Sequence, residues 1–447
     1  MRDPGRHSTR ILVCAYACSP GMGSEESVGW DTVSELASRG HRVTVLTRSG
    51  ERDRSVTHVD ASLTDRLQFE VFDLPAGMQR ALDRMGKPGT EIGYILWLAL
   101  ARSFVRVLHA RHDFTSSQHV TYGRYWMPSP LSVLPIPFVF GPVGGGESIP
   151  AGFRDGFSWK GRLFEAIRDA GRWMGEHLPA ARRAARKSTV CFANTRETAQ
   201  RLRSMGARDV RILNTASLTR EDLDRLHGAA APLPQPTFLC AGRFLEWKGF
   251  DLAIRALAAS NINDARLVFV GKGPHEKELR RLAEDLGVAA RVDFRSRIPR
   301  EELLSMYRSV DALVHPSMHE SGGYVVLEMM ASGGPVICLD AGGPALFNDT
   351  SCGFIAPATA RMDAVGFMAD AMDRLAFEKG LRETLGRQAK LRVERLFSMQ
   401  AKGDELSALH HSFTVSDSVG DNSRVSNRGT SDTSRIHYHS ALPATSA

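Results

Sequence analysis

A chain of 447 residues that is 43% hydrophobic and 24% charged is too long for one core and too apolar to be disordered, so it predicts two or three globular domains. The formal net charge of +7 suits phosphates, nucleotides or an anionic membrane surface and is too weak to imply nucleic acid. Cys14, Cys18, Cys191, Cys240, Cys338 and Cys352 stand singly in apolar runs with no C-x-x-C pair, so neither a disulfide framework nor a zinc site is read and a cytoplasmic chain is expected.

In chain order, Arg10 to Ala15 reads as a strand, Ser27 to Arg39 as a helix and Arg42 to Leu46 as a strand, a βαβ opening that argues for a parallel sheet covered on both faces. Arginines ahead of the first apolar stretch imitate a leader peptide, but glycines and Glu25 and Glu26 follow at once, as after a core strand. The apolar run Ile92 to Ala101 is about half of what a bilayer-spanning helix needs, and Arg102 closes it, so no crossing is expected. Ala151 to Lys187 carries nine Lys or Arg against four acids, a net of +5, interleaved with Trp159, Leu163, Ile167 and Trp173. That pattern suits a surface helix on anionic lipid, a peripheral membrane contact, and it also fits a solvated helix face.

The second half repeats the alternation. Phe238 to Ala241, Leu267 to Val270, Val292 to Arg295, Ala312 to His315 and Pro335 to Leu339 read as strands, with helices at Asp251 to Ala258, His275 to Leu286 and Arg300 to Tyr307. His227 to Thr237 is Pro- and Ala-rich and reads as linker, placing a boundary between about 214 and 237. From 412 to 447 the chain is rich in Ser, Asp and Asn and reads as a disordered tail.

Chemistry concentrates at strand ends. After the strand ending at His315 come Glu320, Ser321, Gly322, Gly323 and a helix from Tyr324 that carries Glu328. Backbone N–H groups at such a helix start favour phosphates or sugar hydroxyls, and a carboxylate can accept two hydroxyl donors at once. After the strand ending at Ala241, Arg243 and Lys248 could converge on a pyrophosphate. Gly271-Lys272-Gly273-Pro274 makes a further turn at the next strand end, and Lys272 is given no role. Gly21 and Gly23, after the first strand, would admit a ligand close to the backbone. No dinucleotide fingerprint or P-loop is present, which argues against a dehydrogenase or an ATPase of those types.

Together, GMGSEESVGW, AGRFLEWKG, LVFVGKGP and HESGGYVVLEMMASGGPVI resemble the retaining glycosyltransferases of family 4, over roughly residues 10 to 400. The resemblance implies the glycosyltransferase B fold: an α/β protein of two facing Rossmann-like, doubly wound domains, 1–213 for the acceptor and 214–392 for the donor, with a helix at about 393–411 crossing back to the first domain. It implies that Glu328 holds a nucleotide ribose, that Glu320 and the backbone of Ser321 to Tyr324 hold the donor sugar, that Arg243 and Lys248 hold the diphosphate, and that Gly21 and Gly23 close over it. It makes His119 the match for a catalytic histidine near the donor sugar, although a lone histidine after a strand is often a buried structural group. The Gly141 to Glu147 loop is similar to the surface-polysaccharide branch of the family. Two departures are Phe397-Ser398-Met399, where relatives carry Phe-Ser-Trp, and Ala345 and Leu346, where an acid commonly follows Gly-Gly-Pro.

The function expected is transfer of a hexose from a UDP- or GDP-linked sugar to an acceptor saccharide, which a lipid could carry, at the inner face of the cell membrane. It would proceed with retention and with no metal or other cofactor. A non-catalytic sugar-nucleotide-binding scaffold and a sugar-nucleotide epimerase of the same fold are the alternatives.

Overall fold

The computed structural model describes residues 9–21, 24–228, 233–296 and 298–420. Seven strands form the first sheet: β1 (Arg10–Cys14), β2 (Arg42–Thr47), β3 (Leu67–Val71), β4 (Ser116–His119), β5 (Phe138–Val143), β6 (Val190–Ala193) and β7 (Val210–Ile212). Six form the second: β8 (Thr237–Ala241), β9 (Arg266–Val270), β10 (Val292–Arg295), β11 (Ala312–His315), β12 (Val336–Leu339) and β13 (Gly353–Ala356). The orders are β3-β2-β1-β4-β5-β6-β7 and β10-β9-β8-β11-β12-β13, parallel throughout.

Helices cover both faces of each sheet, which is why the strands are continuous apolar runs rather than alternating ones. Ile11, Leu12, Val13 and Cys14 are all fully buried, with Ile11 and Val13 on one side of the sheet and Leu12 and Cys14 on the other. In both sheets the strand order reverses beside the first strand, between β1 and β4 and between β8 and β11. Ligand crevices of open α/β sheets lie at such points, outside the carboxyl ends of the strands.

Two chain crossings join the units. Leu218, Leu223 and Leu226 pack in the second unit's core, so the helix Arg220–Leu226 already belongs there. On the return, Leu218 N–H donates to Phe397 O at 3.0 Å and Met399 N–H to Leu218 O at 2.7 Å, which pins the two crossings together. The final helix then lies back on the first unit, with Leu406 and Leu409 in its core and His410 bonded to Ser116 and Gln118.

Two sequence expectations change. The final helix spans Met399–Gly420, past residue 412 where the tail was placed; the remainder of that tail lies outside the described residues. The apolar run that Arg102 was expected to close continues as the helix Lys87–His112, by length and composition the one described helix apolar enough to cross a membrane. Its Tyr94, Trp97, Leu98, Ala101 and Val105 are buried in the first core, so an amphipathic periodicity continues through the arginine.

Candidate functional site

The glycine turn after β11 is built backbone on backbone. Gly343 N–H donates to Glu320 O at 2.7 Å, and a Cβ on Gly342 or Gly343 would stand 2.3 Å from Glu320 O or 2.4 Å from Gly322 O. Gly323, at φ +139°, then starts the helix Tyr324–Ala331. Gly342 and Gly343 are therefore needed for the two loops to touch, and Gly323 for its backbone conformation.

Glu320 faces two partners on one oxygen: Lys248 Nζ donates to Oε2 at 2.7 Å, and His315 Nε2 lies 2.6 Å from it. Lys248 is aimed there by Gly249, a left-handed residue at φ +65° packed under Pro316 O. Burial works to raise the Glu320 carboxyl, but His315 and Lys248 outweigh it and hold the group well below the usual carboxylate range. Complete burial holds His315 below its ordinary value, against the pull of Glu320. Its Nε2 faces Glu320, and its Nδ1 is buried without a hydrogen-bond partner among the described residues. Glu320 is an ionised acceptor whose Oε1 makes no hydrogen bond among the described residues.

Arg243 does not converge with Lys248 in this state. It is exposed and makes no ion pair among the described residues, while Lys248 is turned inward to Glu320. Glu328 is 3% exposed, with Arg300 on Oε1 at 2.5 Å and Tyr307 OH donating to Oε2 at 2.9 Å. Burial raises its pKa and Arg300 opposes the rise.

From the first unit, Glu147 reaches the turn. Ser321 Oγ donates to Glu147 Oε2 at 2.6 Å and accepts Gly145 N–H at 2.9 Å, and Asn214 Nδ2 donates to Ser321 O at 2.7 Å. Glu147 is 2% exposed and takes Thr195 and Thr198 hydroxyls on its other oxygen. Glu197 accepts Gly342 N–H at 3.2 Å, so an acid from the first unit serves the loop whose own positions 345 and 346 are Ala and Leu. Trp247 is stacked between Phe164 of the first unit, 5.7 Å away at 4°, and His319, 5.1 Å away at 21°, while His319 pairs with Glu165 at 3.0 Å.

Gly21 is exposed at φ +67°, and Gly23 lies outside the described residues. His119 ends β4 and is 1% exposed; its Nδ1 is 3.1 Å from Ser129 Oγ and its Nε2 3.4 Å from Tyr94 OH. Burial lowers its pKa to about 4. Sequence reasoning gave no role to His315, Glu147, Arg300 or Tyr307. The strand-end His315, five residues before Glu320, was the one a local pattern could have flagged. Among the described residues no group of three or more His, Cys, Asp or Glu is placed to hold a metal ion.

Residues 227–392 match the family model for glycosyl transferases, group 1. The chain is 31% identical over 225 residues to the lipopolysaccharide core biosynthesis glycosyltransferase LpsE of Rhizobium meliloti (strain 1021), covering 49% of this chain and 63% of that protein. It is 31% identical over 197 residues to D-inositol 3-phosphate glycosyltransferase of Corynebacterium glutamicum (strain R), 42% of this chain and 46% of that protein. The chain thus spans about half the length of the curated relatives it matches. Among solved structures, sucrose-phosphate synthase from Thermosynechococcus elongatus superposes with a TM-score of 0.61 at 20% identity, over 91% of this chain and 100% of that one. The fold is the two-domain glycosyltransferase B arrangement, as its structural neighbours have it.

Proposed function

We propose that a chain with a glycosyl transferases group 1 domain and this cleft is a retaining glycosyltransferase of family 4, moving a hexose from a nucleoside-diphosphate sugar to an acceptor hydroxyl. The carrying observation is an ionised Glu320, held by Lys248 and His315 at a glycine-rich helix start whose next residue, Ser321, bonds Glu147 of the first unit. Glu320 Oε1 accepts hydroxyls of the donor sugar, and the N–H groups of the turn complete that contact. Lys248 keeps two further N–H donors for the diphosphate, and the exposed Arg243 swings onto it when donor binds. Glu328 meets the ribose by exchanging Tyr307 or Arg300 for a hydroxyl.

Retention follows from a same-face displacement. The bond from the anomeric carbon to the leaving phosphate oxygen breaks, the acceptor oxygen bonds to that carbon on the same face, and its proton passes to the departing phosphate. His119 enters as an uncharged ring with one N–H to donate, because burial lowers its pKa to about 4, and it holds the end of β4 against the cleft. The donor is UDP- or GDP-linked, no metal or other cofactor takes part, and the acceptor is a saccharide, lipid-linked, in surface-glycan assembly at the cytoplasmic face of the membrane. The relative named for lipopolysaccharide core biosynthesis supports the surface-glycan part of that reading.

The test is thermal unfolding with saturating UDP, GDP, ADP or CMP, without metal. Ligand at a hundred times its dissociation constant stabilises by about 2.7 kcal/mol, or about 5–10 °C for a unit of this size. A shift with UDP or GDP alone, followed by transfer lost in both Glu320→Ala and Arg243→Ala, supports the reading. Binding without turnover onto any acceptor identifies a scaffold, and consumption of donor without acceptor identifies an epimerase.

A further inference from the structure

The helix Trp159–His177 has two opposed faces. Its inner face packs on the protein, and every acid on it is engaged: Glu165 with His319 and Arg168, Asp169 with Arg172, Glu176 with Arg201 and Tyr125. The outer face presents Trp159, Leu163, Ile167, Trp173 and Met174, followed by Leu178, each between 50% and 64% exposed. At 3.6 residues per turn these fall on one stripe running the length of the helix, with Lys160 and Arg162 on either side of it.

Those two cations, together with Arg183, Arg186 and Lys187 on the adjoining helix Pro179–Lys187, are exposed and make no ion pair among the described residues. The acids of the helix are thus paired with neighbouring side chains while these cations are left facing out beside bare apolar surface. A large exposed apolar patch flanked by unpaired positive charge is complementary to a lipid surface bearing negative headgroups.

We propose that this stripe lies in the headgroup–acyl boundary of an anionic bilayer, with Lys160, Arg162, Arg183, Arg186 and Lys187 on the headgroups. The same helix touches the loops that carry Lys248 and Glu320, through Phe164, half exposed at the edge of the stripe, on Trp247 and through Glu165 on His319. Docking there sets the cleft beside the lipid, within reach of an acceptor anchored in it. The binding surface does not depend on the transferase reading, since it is defined by exposed side chains outside the cleft.

The experiment is co-sedimentation of the full chain with vesicles of pure phosphatidylcholine and of equimolar phosphatidylcholine and phosphatidylglycerol, at low and high salt. Brominated lipid serves as a quencher of tryptophan fluorescence. Binding is expected to the mixed vesicles, to weaken with salt, and to quench emission that disappears in Trp159→Phe/Trp173→Phe. Ile167→Glu with Trp173→Glu is expected to abolish it. Each of Lys160→Glu and Arg183→Glu should weaken it at least about fivefold, the equivalent of about 1 kcal/mol per cation near the surface. All these positions are exposed, so the variants should fold as the parent does. Equal binding to both vesicle types, or binding that the stripe variants leave intact, would overturn the proposal. Failure to bind vesicles, with self-association that Ile167→Glu abolishes, would overturn it in favour of a protein-covered face. Neither result bears on nucleotide binding or transfer.

Discussion

Ser321→Ala tests whether the two units are held together at the glycine turn. The serine hydroxyl spans the cleft with two bonds, to Glu147 Oε2 at 2.6 Å and from Gly145 N–H at 2.9 Å. Glu147 is almost fully buried, so the lost donor is not replaced by bulk water while the units stay closed. A hydrogen bond to a charged group contributes about 1.5–3 kcal/mol and a neutral one about 1 kcal/mol. Thr195 and Thr198 still serve the other oxygen, so the expected cost to the closed arrangement is about 2–4 kcal/mol rather than the larger figure for an unpaired buried charge. In the open arrangement both groups are hydrated, and the whole cost falls on closure.

The assay is amide hydrogen exchange at Gly145, whose N–H is the donor lost. At about 1.4 kcal/mol per factor of ten, its exchange should rise by about 30-fold or more. Amides of β3, at the far edge of the same sheet, should not change. An increase below about threefold at Gly145 would refute the reasoning, because Ser321 would then carry none of the closure energy. Glu147→Gln combined with Ser321→Ala should cost less than the sum of the two single changes, because each removes the same bond.

Lys248→Ala leaves the Glu320 carboxylate with His315 alone in a largely buried site and is expected to destabilise by about 3–5 kcal/mol in denaturant unfolding; a variant as stable as the parent would remove the ion pair from the account. The depressed Glu320 pKa means that its stabilisation is present above an ordinary carboxylate value and lost as pH falls, so this variant should also be less sensitive to acid than the parent. His119, lowered to about 4, and His410, lowered to about 3, bind protons more readily unfolded than folded. Each should withdraw about 2 kcal/mol of stability between pH 7 and pH 5, and His410→Gln should flatten the measured profile; an unchanged slope would count against it. Lys402, buried at the crossing between units with its pKa lowered to about 7 by burial, donates to Thr215 O. Its folded pKa lies below the ordinary 10.5, so stability should rise with pH between those values, and Lys402→Met should raise the melting temperature at pH 7 and remove that rise.

The parts of this structure legible in the sequence are those whose physical cause is local. Strands of a parallel sheet are buried on both sides, so Leu267 to Val270 and Ala312 to His315 read directly as apolar runs that match β9 and β11 to within a residue. Glu320 was legible for a similar reason: a strand end, a glycine turn and a helix start lie within a dozen residues, and the loop geometry follows from the glycines themselves. Arg243 and Lys248 are equally local, but their convergence was an inference about side-chain direction. That direction is set by Gly249 under Pro316 and by a carboxylate 72 residues away, which pulls Lys248 inward and leaves Arg243 to solvent.

Glu147 shows what would have been needed to see further. An acid that ends a glycine-rich loop after the buried strand β5 must either reach water or find donors, since an unpaired buried carboxylate costs several kcal/mol. The donors come from Thr195, which also caps the helix Arg196–Ser204, and from Ser321, 174 residues later and on the other sheet. No periodicity or spacing connects those positions; only the facing of two separately formed sheets does. The closure network is therefore a property of the assembled pair of units, and Ser321, which sits in the glycine turn and bonds Glu147 of the other unit, is where a single atom can be removed to separate local folding from closure.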